Sequence, residues 1–367
     1  MKFICSQKVL ASGIGTVQKA ISSKSNLPIL KGILLEAYND KLKLVGTDLE
    51  IGIENYIEAE IIEEGSLVLS ARILGDIVRK LPDDNIEIEV KDNNKTIIRC
   101  KNSEFTLLGQ NPEDFPDLPE VEEDYEYTIS QDLLKNMIRQ TVFATAIDET
   151  RPILMGVLMK LEPETINMVA LDGYRLALRE ASIKSDFEGK AVIPAKTLNE
   201  INRLLSEEEG QEVRIYITDK HILFNMNNTK VVSRLLEGEF INYKQIIPTD
   251  YKSRLNVNTK ELLNSIERAS LLAKEGKNNL VKFSVRDEEL TITSNAEIGN
   301  VLESVNIDLE GNDLDIGFNS KYFIDALKII DSEQIQLEFT TNVSPCIIKP
   351  TDNENYTYLI LPVRIVE

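Results

Sequence analysis

From Gln7 to Ser23, apolar residues fall at Val9, Leu10, Ile14, Val17 and Ile21, close to the i, i+3, i+4, i+7 spacing of one helix face. Alternating apolar and polar positions follow at Leu34 to Ala37, Leu42 to Thr47 and Gly52 to Glu60, the period-two mark of half-buried strands. A second helical pattern, Ala71 to Leu81, stops at Pro82, with Asp83-Asp84-Asn85 as the turn. Strand patterns at Ile86 to Val90, Thr96 to Cys100 and Glu104 to Gly109 complete this unit. The same order returns with helices at Gln131 to Ala146 and Ala195 to Leu205 and strands such as Val213 to Ile217 and Ile222 to Met226. It returns again with helices at Thr259 to Lys274 and Ser320 to Ile330, and a last strand over Tyr356 to Ile365. Helix pairs among antiparallel-type strands predict an α+β fold, the helices segregated to one side of the sheets.

The repetition extends to the residues. Leu27-Pro28-Ile29-Leu30-Lys31-Gly32, leading to Thr47-Asp48-Leu49-Glu50, comes back as Arg151-Pro152-Ile153-Leu154-Met155-Gly156, leading to Leu171-Asp172-Gly173-Tyr174. A weaker third copy runs from Asn279-Leu280-Val281-Lys282 to Ser294-Asn295-Ala296-Glu297. The step is roughly 124 residues, so a whole domain is triplicated, not a short solenoid unit. The expected domains are 1–120, 128–246 and 247–367, each able to bury its own core, with linkers at Asn111 to Asp124 and Glu239 to Tyr251.

Composition narrows the function. No stretch approaches the ~18 apolar residues that span a bilayer, and the N-terminus lacks the apolar run of a signal peptide, so a cytoplasmic protein without membrane partners is expected. Cys5, Cys100 and Cys346 are too few and too scattered for a disulfide framework or zinc site and are expected to be small buried hydrophobes. His221 is the one histidine, and no phosphate loop or nucleophile elbow is present, so no enzyme, no cofactor and no metal are expected. Asp48, Glu50 and Asp172 are the carboxylates that a metal-dependent phosphoesterase could use. Asp48 and Asp172 recur at matching repeat positions, however, and Asp172-Gly173 is a turn signal, which favours a turn role.

A net charge of −20 speaks against nucleic acid until it is partitioned. The six helical windows hold about 16 basic and about 7 acidic residues, a sum of about +9, and the strands and loops hold the remaining −29 or so. The basic members include Lys24, Arg72, Arg79, Lys80, Lys135, Arg139, Lys196, Arg203 and Lys277. Set side by side, such helices make a surface that can face phosphates without reading bases. Helices pack about 8–10 Å apart, so twelve of them, from two chains, would close a ring roughly 31–38 Å across between axes. Subtracting about 10 Å for the helices leaves room for a DNA duplex.

At this point the residues resemble the β sliding clamps of bacterial DNA polymerase III. The likeness runs from Met1-Lys2-Phe3 through Gly46-Thr47-Asp48-Leu49-Glu50, Asp114-Phe115-Pro116, Asp172-Gly173-Tyr174-Arg175-Leu176 and Gly317-Phe318-Asn319 to Leu361-Pro362-Val363-Arg364-Ile365. It implies three tandem clamp-type domains per chain, each with two helices on antiparallel sheets, and a head-to-tail homodimer closed into a six-domain ring. The ring would act as a processivity factor, encircling double-stranded DNA without sequence preference. It also implies a pocket for Gln-x-x-Leu-Phe-type motifs of the clamp loader, polymerases and repair proteins.

Carried over position by position, that pocket is Leu154, Leu171, Gly173, Tyr174, Arg175, Leu176, Ile241, Ile246, Val343, Leu359, Leu361, Pro362, Val363 and Arg364. Leu171 stands where many members carry Thr, and Ile241 where many carry Pro, making one wall more apolar. The subunit seam implied by the family joins Phe105 and Leu107 to Leu271 and Leu272; basic residues usual beside that Phe are here Asn102 and Glu104. Lys24, Arg72, Lys196 and the loop Glu149-Thr150-Arg151 match positions near the duplex. A three-domain scaffold that never touches DNA is the alternative, separated from the clamp on sequence alone only by the helix charge bias.

Overall fold

The alternating segments become antiparallel strands in three sheets. The computed structural model describes residues 1–22, 24–123, 126–184, 188–276, 278–353 and 355–365. Ser23, Asp124 and Lys277, the first a predicted helix end, the second a linker end and the third a basic position, lie outside the described residues.

Two compact units divide the chain: residues 1–134 with 196–235, and residues 135–195 with 236–367. The first unit holds a five-stranded sheet, ordered Glu60–Glu63, Lys2–Ser6, Asn85–Val90, Lys95–Cys100, Ser103–Leu108. Its second sheet, of eight strands, pairs Thr229–Arg234 with Ile51–Glu58 through the register Val232 to Gly52. The second unit is built on twelve strands, in which Arg175–Ser182 pairs with Tyr356–Ile360, Leu176 opposite Leu359. The strands of the middle repeat are divided between these two sheets. Its strands 127–130 and 212–234 join the first repeat's sheet, and strands 156–194 join the third's. An isolated sheet would leave those edges unpaired; shared sheets satisfy the backbone groups.

The helices are α1 (Gln7–Val17), α2 (Ala71–Lys80), α3 (Gln131–Thr141), α4 (Ala195–Leu204), α5 (Thr259–Ala273) and α6 (Ser320–Leu327). Asn258 caps α5 by accepting from the Lys260 and Glu261 N–H groups at 3.1 Å each, and Asn319 caps α6 from Lys321 N–H at 3.0 Å. On α2, Ala71, Leu74, Gly75 and Val78 are buried, which turns Arg72, Arg79 and Lys80 outward. On α4, Thr197, Leu198 and Ile201 are buried, and Lys196 and Arg203 are exposed.

Helix ends fall short of the periodicity. α1 stops at Val17 and tightens into a 3-10 turn at Gln18–Ala20, where the Gln18 side-chain amide donates to the Ala71 carbonyl at 2.6 Å. Lys24 thus stands in an exposed turn, not on the helix. α3 ends at Thr141, whose hydroxyl donates to the Met137 carbonyl at 2.7 Å, and a 3-10 turn takes Val142–Ala144. The last strand ends at Ile360, not Ile365: Pro362 has no N–H to continue a ladder. Cys5, Cys100 and Cys346 are buried and unpaired, and burial pushes the Cys5 thiol up to about 11. Among the described residues no helix is long and apolar enough to cross a membrane.

Candidate functional site

The turn at Asp172 organises the candidate pocket in the second unit. Asp172 Oδ1 accepts from the N–H groups of Tyr174 at 2.8 Å and Arg175 at 3.0 Å. Gly173 between them has φ +92°, a conformation that glycine adopts without a Cβ penalty. The first unit repeats the device: Asp48 Oδ1 accepts from Glu50 at 3.1 Å and Ile51 at 3.0 Å. Both aspartates hold a chain reversal, the role their matching positions favoured.

Beyond this turn the predicted residues divide into floor, strut and rim. Leu154, Leu171, Leu176 and Leu359 are buried in one cluster that also takes Tyr243 and Ile347, with Leu361 half-buried against it. Strand register sets the floor, Leu171 facing Leu176 and Leu176 facing Leu359. Tyr174 is 62 % exposed beside it, and its carbonyl accepts the Leu361 N–H at 2.8 Å. Val363 N–H donates to the Gly317 carbonyl at 2.8 Å, so residues 361–365, outside any strand, lead from Leu361 at the floor to the strand Leu314–Asn319. Pro362 and Val363 are half-buried; Gly173, Ile241, Ile246 and Arg364 are exposed. Val343 lies in the exposed turn after Phe339 and is not part of the buried cluster.

Arg175 is not a rim cation. It is 7 % exposed, with Nε 3.0 Å from Asp172 Oδ2, Nη1 2.6 Å from Asp325 Oδ2 and Nη2 donating to the Phe143 carbonyl at 2.8 Å. The guanidinium also lies 4.7 Å from the centre of the Tyr322 ring. Burial alone would lower its pKa; Tyr358, Asp325 and Asp172 outweigh burial and raise it. Such a residue positions the turn that carries Tyr174. Sequence reading missed Tyr322 and Asp325, three apart on the flank of α6, and Tyr322 stacks on Tyr174 at 6.3 Å. The i, i+3 pairing of an aromatic and a carboxylate on a largely buried helix was the available signal.

The described basic residues of the helical windows, with Arg151 of the loop at 149–151, differ in how far local carboxylates neutralise them. Arg79 pairs with Asp76 at 2.7 Å, Arg203 with Glu200 at 2.7 Å, Lys196 with Asp48 and Arg139 with Asp331. Lys24, Arg72, Lys80 and Arg151 are exposed and take no ion-pair partner among the described residues. Lys135 is half-buried. Exposed pairs are worth about 0–1 kcal/mol, so the paired cations can exchange a carboxylate for a phosphate at small cost.

Phe105 lies on Ser103–Leu108, the edge strand of the five-stranded sheet, with one row of backbone groups unpaired. Phe105 is exposed, Leu107 half-buried and Leu108, which sequence reading passed over, more exposed than either. Glu104 accepts from Arg99 Nε at 2.8 Å within that sheet. In the second unit Leu271 is exposed near the end of α5 and Leu272 half-buried, with Ile298 and Leu302 also exposed. Among the described residues no cluster of three or more His, Cys, Asp or Glu is arranged to hold a metal ion.

Family models describing the DNA polymerase III beta subunit match throughout: its N-terminal domain at residues 1–119, its central domain at 128–242 and its C-terminal domain at 244–364. The beta sliding clamp of Bacillus subtilis (strain 168) is 43% identical, the alignment covering 99% of this chain and 100% of that protein. The crystal structure of the Bacillus subtilis DNA polymerase sliding clamp superposes with a TM-score of 0.96 at 42% identity, covering 100% of both chains. A Pseudomonas aeruginosa sliding clamp bound to griselimycin gives 0.95 at 29% identity, again over 100% of each chain. With three α+β domain matches in tandem and full-length relatives, the chain belongs to the DNA polymerase III beta subunit family, the bacterial β sliding clamps.

Proposed function

We propose that the chain is a DNA sliding clamp whose two copies close head to tail around the duplex, each contributing domains 1–120, 128–246 and 247–367. The observation that carries the reading is the set Lys24, Arg72, Lys80 and Arg151, exposed cations with no ion-pair partner among the described residues, in a chain of net charge −20. Diffuse contacts of this kind hold phosphates without fixing a register, so the ring slides. The acidic remainder repels DNA from elsewhere on the surface. Phe105 and Leu107 of one copy would meet Leu271 and Leu272 of the next.

The floor of Leu154, Leu171, Leu176 and Leu359, bordered by Tyr174, Ile246 and the 361–365 segment, suits an extended peptide with apolar anchors. Motifs of the Gln-x-x-Leu-Phe type on loaders, polymerases and repair proteins fit that chemistry. Binding there raises the effective concentration of a polymerase at the primer end. The chain performs no chemistry of its own and works in the cytoplasm. A separate loader must open the ring.

The test separates the two surfaces. Replacing Lys24, Arg72 and Lys80 with Glu is expected to lower loading on DNA and reduce the salt slope of binding by up to about three, while a Gln-x-x-Leu-Phe peptide binds as before. Deleting Leu361 to Glu367 is expected to abolish peptide binding and polymerase stimulation while DNA loading persists. Equal loss of both activities in either variant would refute the separation.

A further inference from the structure

Strand registers place the two units on a common scale. In the first unit one rung crosses the sheet through Tyr216, Leu223, Val232, Gly52 and Thr47. The corresponding rung of the second runs Glu338, Ile347, Leu359, Leu176 and Leu171, the last four of which belong to the buried cluster that makes the pocket floor. Leu223 and Val232 keep the aliphatic character of Ile347 and Leu359, whereas the first unit has glycine for Leu176, tyrosine for Glu338 and threonine for Leu171. The next rung matches too: Phe115 packs on Val45 and Val68, as Tyr243 joins the cluster of Val169 and Val192.

In the first unit this groove is covered by the chain itself. Leu118 packs both on the Phe115 cluster and on Tyr216, Leu223 and Val232; Val121 packs on the latter three. A Cβ placed on Gly52 would stand 2.5 Å from Leu118 Cδ2, so the absent side chain is the seat of Leu118. Polar contacts anchor the residues beyond Val121. Lys230 Nζ donates to Glu123 Oε1 at 3.0 Å, and the Tyr216 hydroxyl donates to Glu126 Oε2 at 2.6 Å. At the place of Tyr216 the second unit has Glu338, bonded to Arg254 and Lys349, a polar surface unsuited to Val121. A groove of about 670 Å³ remains along the segment, bounded by Lys43, Glu54, Leu118, Glu120, Val121 and Lys230.

We propose that residues 114–123 are a peptide ligand held in cis. The first unit carries a second groove, selective for an extended peptide with Leu-x-x-Val anchors and flanking carboxylates, and Leu118 and Val121 of the same chain fill it. Tethering supplies an effective concentration of about millimolar, so a free peptide does not displace the segment from the intact chain. The likeness to the second unit's pocket rests on the function proposed for that pocket; the groove and its occupant do not.

The probe is a synthetic peptide of residues 114–123, titrated calorimetrically onto the full chain. Leu118→Ser with Val121→Ser vacates both anchors. The peptide is expected to bind this variant at one site per chain, and to bind the unchanged chain at least tenfold more weakly. Gly52→Leu fills the seat instead, and is expected to speed proteolysis within 114–123 while denying the groove to added peptide. Equal affinity for the variant and the unchanged chain, or no binding to a double variant that melts cooperatively, overturns the proposal. If the double variant does not fold, the Gly52→Leu chain decides: faster cleavage upholds the cis ligand and unchanged cleavage overturns it. Because the probe is the chain's own sequence, failure here leaves the second-unit pocket untouched, and failure of that pocket leaves this result readable.

Discussion

Arg175 shows what a single residue's neighbours add to its sequence. Position matching put Arg175 in the pocket, yet its partners Asp325 and Tyr322 lie about 150 positions downstream, where no local pattern connects them. Asp172 was legible because its hydrogen bonds reach only two and three residues ahead. Removing one partner from a buried charge network leaves the others uncompensated, at a typical cost of about 3–5 kcal/mol. Arg175→Ala is therefore expected to lower the unfolding free energy, measured by denaturant titration, by that order, exposing Asp172 and Asp325 to each other. Arg175→Lys should recover only part, because an ammonium cannot serve two carboxylates and a carbonyl in the guanidinium's planar geometry. A change below about 1 kcal/mol in Arg175→Ala would mean that the network does not hold the turn.

At the scale of elements, periodicity found the six helices and most strands, since one buried face per element repeats at 3.6 or 2 residues. It overran the helix ends at Val17 and Thr141, beside which side chains bond to a distant or a preceding carbonyl, contacts that carry no periodic signal. It also carried the final strand through Pro362. Cross-strand chemistry lies beyond periodicity altogether. Glu338 is nearly buried, takes Arg254 at 2.7 Å from one neighbouring strand and Lys349 at 2.9 Å from the other. Burial alone would raise the Glu338 pKa, but Lys349 and Arg254 outweigh burial and hold it below the usual carboxylate range. A carboxylate depressed in the folded state gives its full stabilisation above its unfolded pKa, about 4.3, and loses it as pH falls through the lower folded value. Denaturant midpoints measured from pH 7 to 3 should thus fall more steeply for the native chain than for Glu338→Gln, which starts lower at pH 7. Parallel curves would show that the ladder does not carry that stability.

For the whole molecule, the triplicated pattern and the opposed charges of helices and loops were readable from composition by segment. The sharing of sheets between repeats was not, because a strand's alternation says which face is buried and nothing of which strand lies beside it. The same limit hid the difference between Gly52 and Leu176, two residues at one repeat position that meet Leu118 and a pocket floor respectively. A ring that slides must let go of DNA only through a free end. The decisive measurement loads the protein with its cognate loader and ATP onto a nicked circular plasmid, isolates the complex and linearises half of it with a restriction enzyme. Release from the cut DNA alone, at a salt concentration where the circle retains its protein, is the predicted result. Equal retention on circle and line, or no capture by the circle with an active loader, would contradict encirclement.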